Sequence, residues 1–192
     1  MNKSEIKAFF DEKAPVWDMN QIRSDEIISF ILDKSEVKKG TRVLDVASGT
    51  GVLFGDYLKR EVGSLTGIDI SPEMLKIAKE KYPQVRLICA DAESYCFREK
   101  YDVIMIYNAF PHFPDPGKLF SNLSSALTAG GRLTVAHGIS ITELEECHAR
   151  VPFNISMPLP DTETLSEIMS EYLTVDIKIS DDKMYMVSGM IK

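Results

Sequence analysis

With 192 residues, 44% of them hydrophobic, the chain has the size of one domain with a substantial core, and its composition is that of neither a disordered nor a repeat protein. The net charge of −7 and a pI near 5.0, with basic residues scattered rather than striped, argue against DNA or RNA as a partner. No apolar run reaches membrane-spanning length and the first residues lack the basic and apolar regions of a signal peptide. Cys89, Cys96 and Cys147 form no C-x-x-C pair, so a soluble cytoplasmic protein with reduced thiols is expected.

In chain order, residues 4–13 predict a short helix capped by Ser4, with Ile6, Phe9 and Phe10 on one side, broken at Pro15. Phe9, Phe10 and Trp17 either pack on the core or form a lid. A second helix over 24–34 carries Ile27, Ile28, Ile31 and Leu32 at helical spacing, a core stripe that implies no chemistry.

The stretch Arg42-Val43-Leu44-Asp45-Val46-Ala47-Ser48-Gly49-Thr50-Gly51 reads strand, tight turn, helix. Glycines there let a ligand lie against bare backbone at the amino end of the following helix. The dinucleotide fingerprint Gly-x-Gly-x-x-Gly does not fit: its third glycine would fall on Val52 or Phe54. The pattern Asp45-x-Ala47-x-Gly49-x-Gly51 instead resembles motif I of class I S-adenosylmethionine-dependent methyltransferases, with Ala47 where the first glycine usually stands. The resemblance implies S-adenosyl-L-methionine as cofactor and Asp45, Ala47, Ser48, Gly49 and Gly51 beside it. The lead-in Phe9-Phe10-Asp11 to Trp17-Asp18 is similar to that of the ubiquinone/menaquinone-biosynthesis type, which favours the lid and makes Trp17 a cofactor-side residue.

A helix ending near residue 61 leads to a strand over 64–69 that again ends in a carboxylate. From that tip Asp69 can accept both ribose hydroxyls of a nucleoside, a device that dinucleotide enzymes share. Ser71, Pro72 and Glu73 read as cap, first residue and first-turn acid of the next helix. Asp69-x-Ser71-x-x-Met74 also resembles the family's segment after motif I, which implies Ile70 and Met74 against the adenine. The third strand, over 85–89, runs into Asp91, which either caps a short helix or acts as in the family's motif II. There Asp91 would accept from the adenine amino group and the Ala92 amide would meet the ring. The fourth strand, 101–108, is apolar as a central parallel strand should be. Its end, Asn108-Ala109-Phe110-Pro111-His112-Phe113-Pro114-Asp115, resembles the family's Asn-Ala-x-His-His-Phe-x-Asp, with Pro111 in place of one histidine.

A helix over 116–127 is stopped by Gly130-Gly131 and followed by a fifth strand over 132–136. Residues 140–149 and 161–172 read as helices around an irregular stretch, and 173–179 with 184–191 as a closing hairpin. The expected architecture is α/β: a Rossmann-like, doubly wound, seven-stranded sheet, mostly parallel with an antiparallel last strand. A single domain over 1–192 is expected, with a helical N-terminal lid over 1–35 and a helical cover over 140–172.

Asp45, Asp69, Asp91 and Asn108 all fall at carboxyl ends of strands, where such sheets bind ligands. The resemblance implies methyl transfer to a small organic acceptor. The Asn108-Ala109-Phe110-Pro111 tip lacks the Pro-Pro-Tyr/Phe of amino-methylating enzymes, and no cysteine follows a proline as cytosine-C5 chemistry requires. A cofactor-binding partner without catalysis and a nicotinamide oxidoreductase stay as alternatives. His112 and His137 at strand ends, and His148 with Glu145 on one helical face, are candidate proton acceptors; a His-carboxylate pair could also hold a metal, though none is expected. The partners expected are a small-molecule acceptor, no nucleic acid and no membrane, with room for a homodimer.

Overall fold

The computed structural model describes residues 2–20, 22–148 and 155–192. Helix α1 (Lys3–Lys13) begins at Asn2, whose side chain accepts from the Ser4 amide, so the cap lies two residues before Ser4. Pro15 does not break the chain away: the backbone tightens into a 3₁₀ segment, Ala14–Asn20, because proline suits the first turn of a new helix. Helix α2 (Asp25–Lys34) is capped by Ser24 and buries Ile28, Ile31 and Leu32.

Strand β1 (Arg42–Val46) leads through the glycine turn to α3 (Phe54–Lys59), then β2 (Ser64–Asp69), α4 (Pro72–Lys81) and β3 (Arg86–Cys89). Strand β4 (Tyr101–Tyr107) is followed by a 3₁₀ turn at Phe110–His112 and by α5 (Pro116–Ser125). Strand β5 (Leu127–His137), α6 (Ile141–His148), α7 (Thr162–Ser170), β6 (Leu173–Ser180) and β7 (Tyr185–Ile191) complete the order. The expected stop at Gly130-Gly131 is a misreading. Helix α5 ends at Ser125, and Leu127 already pairs with Tyr101. The two glycines instead carry an irregularity in which the register jumps from Leu127 to Arg132, and Gly130 has a φ of +73°.

The seven strands lie in the order β3-β2-β1-β4-β5-β7-β6. Strand β7 runs antiparallel to both of its neighbours and the other pairs are parallel. Both faces are covered because adjacent strand residues point to opposite sides. Leu44, Val46, Ile104 and Ile106 pack with Leu119, Phe120 and Leu123 of α5 and with Leu165 and Met169 of α7. On the other face Val43, Val103 and Met105 meet Ile28, Ile31 and Leu32 of α2 and Phe54 and Tyr57 of α3. Each such side chain contributes about 1.5–3 kcal/mol when fully buried. From β1 the chain winds one way to β3 and returns to β4 on the other side, so a crevice opens at the carboxyl ends of β1 and β4. Among the described residues, no helix is long and apolar enough to cross a membrane.

Candidate functional site

The turn after β1 owes its shape to three left-handed residues: Ala47 at φ 54°, Gly49 at 54° and Gly51 at 81°. A Cβ at Gly51 would stand 2.6 Å from the buried Phe54 ring, so glycine is required there by space as well as by φ. Ala47 adopts the same backbone region with a Cβ, a conformation that costs about 1–2 kcal/mol. Gly67 of β2 makes room for the turn, since a Cβ there would lie 2.8 Å from Ser48 Oγ and 2.6 Å from Phe54.

Asp69 ties the turn to the next helix. Its Oδ2 accepts from the Gly49 amide at 2.8 Å and its Oδ1 from the Ser71 amide at 2.8 Å. Burial pushes its carboxyl up to about 6, against the amides of Ser71, Gly49 and Ile70, which pull it down. Asp45 lies beneath, 2% exposed, with Oδ2 making no hydrogen bond among the described residues. Burial first, and then the charge of Asp69, raise its carboxyl well above the usual range. Ser71 caps α4 by accepting from the Met74 amide at 3.1 Å, as expected. Asp91 begins a turn rather than a helix: it accepts from the Glu93 amide at 3.0 Å and from Ser94 Oγ at 2.9 Å.

A cavity of about 260 Å³ opens between these strand tips and the N-terminal segment. Ten of the expected cofactor residues line it: Ala47, Ser48 and Gly49 of the turn, Asp69, Ile70 and Met74 beyond β2, Asp91 and Ala92 beyond β3, Asn108 beyond β4, and Trp17 above them. Asp45 and Gly51 are not in its wall; they support the turn from below. Ser48 Oγ is buried under the turn, beside Gly67, and makes no hydrogen bond among the described residues. Asn108 sits at φ 52°, and its Oδ1 accepts from the Gly138 amide at 3.0 Å, which fixes the ends of β4 and β5 together.

The N-terminal segment forms the roof. Phe10 meets Trp17 edge-on at 5.5 Å between centroids and His112 at 4.9 Å. Lys3 Nζ lies 2.5 Å from Asp91 Oδ2 and 2.6 Å from Glu93 Oε2. Burial works against the charge of Asp91, but the bonds from Lys3, Ser94 and the Glu93 amide outweigh it and hold the carboxyl below its usual range. Asp11 accepts from Ser71 Oγ at 2.6 Å, and Asp18 pairs with Lys81 at 2.7 Å and accepts from Thr50 Oγ1.

Of the three histidines, His112 lines the cavity. Its Nδ1 lies 3.0 Å from the Ile155 carbonyl, which can only accept, so the ring proton sits on Nδ1 and Nε2 is the basic nitrogen. His137 was expected to face the crevice as well. It is 1% exposed, packs edge-on to Tyr185 at 6.0 Å and is not in the cavity wall. The side chain of His148, and with it the expected approach of His137 to His148, lies outside the described residues. Sequence reasoning missed Lys3, Glu93 and Tyr107. Lys3 meets Asp91 across 88 positions, a pairing no local pattern encodes. Tyr107, at the tip of β4, is in the cavity wall with its phenol pushed by burial up to about 12.

The arrangement offers an enclosed apolar space with carboxylates at two strand tips and bare backbone at the turn. A family model described as a methyltransferase domain matches residues 43–131. The demethylmenaquinone methyltransferase of Chlorobaculum tepidum is 31% identical over 140 residues, covering 68% of this chain and 58% of that protein. The malonyl-[acyl-carrier protein] O-methyltransferase 1 of Ilyobacter polytropus is 35% identical over 117 residues, covering 56% and 44%. The chain therefore spans about half the length of these relatives. Among solved structures, the N-methyltransferase NodS from Bradyrhizobium japonicum in complex with S-adenosyl-L-homocysteine aligns with a TM-score of 0.74 at 14% identity, covering 98% of this chain and 97% of that one. The magnesium protoporphyrin IX methyltransferase of Synechocystis, with the same ligand bound, aligns at 0.74 and 15% identity over 100% of both chains.

Proposed function

We propose that the chain is a class I S-adenosylmethionine-dependent methyltransferase of the ubiquinone/menaquinone-biosynthesis type and that it transfers a methyl group from S-adenosylmethionine to a small organic acceptor. The observation that carries this reading is the convergence of Asp69 and Asp91, from the tips of two adjacent strands, on one cavity beside the turn at Gly49. The cofactor fits the residues present. Both carboxylates are pure acceptors when ionised and match hydroxyl and amino donors, and both belong to the cavity wall.

Asp69 would accept the ribose hydroxyls and Asp91 the adenine amino group, with Ile70, Met74 and Ala92 against the ring and the methionine end over Ala47–Gly49. S-adenosylmethionine would supply, when bound, a methyl group already activated on a sulfonium. The chain's own tasks are then to align the acceptor, exclude water and take a proton. Phe10 and Trp17 exclude water from above. His112 is the proton acceptor, through Nε2, because its other nitrogen is committed to Ile155. The setting we infer is the cytoplasm, where the exposed free thiols of Cys89 and Cys96 stay reduced.

Incubation of the protein with radiolabelled S-adenosylmethionine and a panel of phenolic, enolic, carboxylic and amine acceptors tests the reading. Label transfer lost in His112→Gln, with cofactor affinity retained, is expected. Cofactor binding with no transfer to any acceptor class would favour the non-catalytic partner instead.

A further inference from the structure

The N-terminal segment is held down over the cavity in an unusual way. Of residues 3–19, Ile6 and Ala14 are buried, while the aromatic contacts of Phe9, Phe10 and Trp17 are only half-buried. Charged contacts add to these, and the one nearest the adenine end is Lys3, whose ammonium bridges Asp91 and the buried Glu93. Glu93 Oε1 accepts from the Asp115 amide at 3.0 Å, so its Oε2 is the oxygen presented to Lys3. Lys3, Ile6, Phe10 and Trp17 all form cavity wall, so displacing the segment would widen the cavity on that side.

From this geometry we infer that Lys3 is the latch of a cofactor gate: its ammonium closes the N-terminal segment onto Asp91 and Glu93, and that closure retains the bound cofactor. The inference rests on the reading of Asp91 as the adenine carboxylate. Closure and adenine recognition do not compete for the same oxygen. Asp91 Oδ2 is filled by Lys3 and Ser94, whereas Oδ1 takes the Glu93 amide alone among the described residues and keeps one acceptor position. The gate therefore opens to load and can close over a loaded site. Lys3 is a positioning residue, since it acts on the cofactor through Asp91 and the segment it anchors.

The test uses Lys3→Met, which keeps the aliphatic stem, and Lys3→Arg, whose fork can bridge the same two carboxylates. In the ligand-free protein, hydrogen exchange of α1 amides should rise about tenfold in Lys3→Met, with the strand amides unchanged, and return to the original rate in Lys3→Arg. Trp17, the single tryptophan, lies in the cavity wall and reports release of S-adenosylhomocysteine by stopped-flow fluorescence. Release should be about tenfold faster in Lys3→Met, and raising salt from about 50 to about 500 mM should speed release from the original protein more than from the variant. Exchange and release rates in Lys3→Met equal to those of the original protein would overturn the latch. Faster α1 exchange in a protein that binds no S-adenosylhomocysteine would keep the latch and overturn the methyl-transfer reading instead.

Discussion

Replacing Asp69 by alanine is the perturbation whose consequences the structure defines most closely. Asp69 already accepts from the Gly49 amide on one oxygen and from the Ser71 amide on the other, with the Ile70 amide also close, and its carboxylate still has acceptor capacity for the ribose hydroxyls. Hydrogen bonds to a charged group contribute about 1.5–3 kcal/mol, so losing the ribose contacts should weaken S-adenosylhomocysteine binding roughly ten- to a hundredfold. Stability responds to two opposing effects. The substitution orphans the Gly49 and Ser71 amides, which destabilises, and removes a buried carboxylate whose protonation is pushed up to about 6 by its desolvation, which stabilises. The melting temperature should accordingly move by only a few degrees while affinity collapses. Titration calorimetry and a thermal melt on the same sample separate the two. An Asp69→Ala protein that binds S-adenosylhomocysteine as tightly as the original would remove Asp69 from the ligand.

The same carboxyl predicts a pH dependence. Its protonation lies near pH 6 and the ionised form is the acceptor, so affinity should be flat above pH 7 and fall about tenfold per pH unit below 6 in calorimetric titrations. Asp91→Asn should weaken binding less than Asp91→Ala, because the amide oxygen still accepts; loss of thermal stability with affinity intact in both variants would make Asp91 a turn-former only. Ala47→Gly should leave stability unchanged or raise it by up to about 1 kcal/mol in denaturant melts, since relief of the left-handed alanine outweighs or balances the added chain entropy. Gly67→Ala should cost about 1–3 kcal/mol and impair cofactor binding, because its Cβ would drive into Phe54 and Ser48 under the turn.

The sheet was legible because each strand is a short apolar run closed by a polar tip. The run Ser64–Asp69 coincides with β2, and Ser71-Pro72-Glu73 marks the start of α4 through local capping chemistry alone. The end of α5 was not legible. Gly130-Gly131 looks like a helix stop, but the choice between helix and strand at Leu127 is made by pairing with Tyr101 on another strand. In the site, strand-tip carboxylates announced themselves by position and the roof by its aromatic lead-in, whereas the contacts that hold the roof down did not. Lys3, Asp11 and Asp18 reach partners dozens of residues away, and local sequence does not encode which partner each will meet. His137 shows the converse error. It ends its strand as expected, yet the antiparallel partner β7 sets Tyr185 beside it and encloses it.

The central claim, an adenosyl cofactor held between the tips of β2 and β3, is tested most directly by a crystal structure of the protein with S-adenosylhomocysteine. The ribose hydroxyls should lie on Asp69, the adenine amino group on Asp91 Oδ1 and the thioether end toward the His112 side of the cavity. Ligand density elsewhere on the molecule, or adenine seated away from Asp91 with Asp69 touching no hydroxyl, would contradict it.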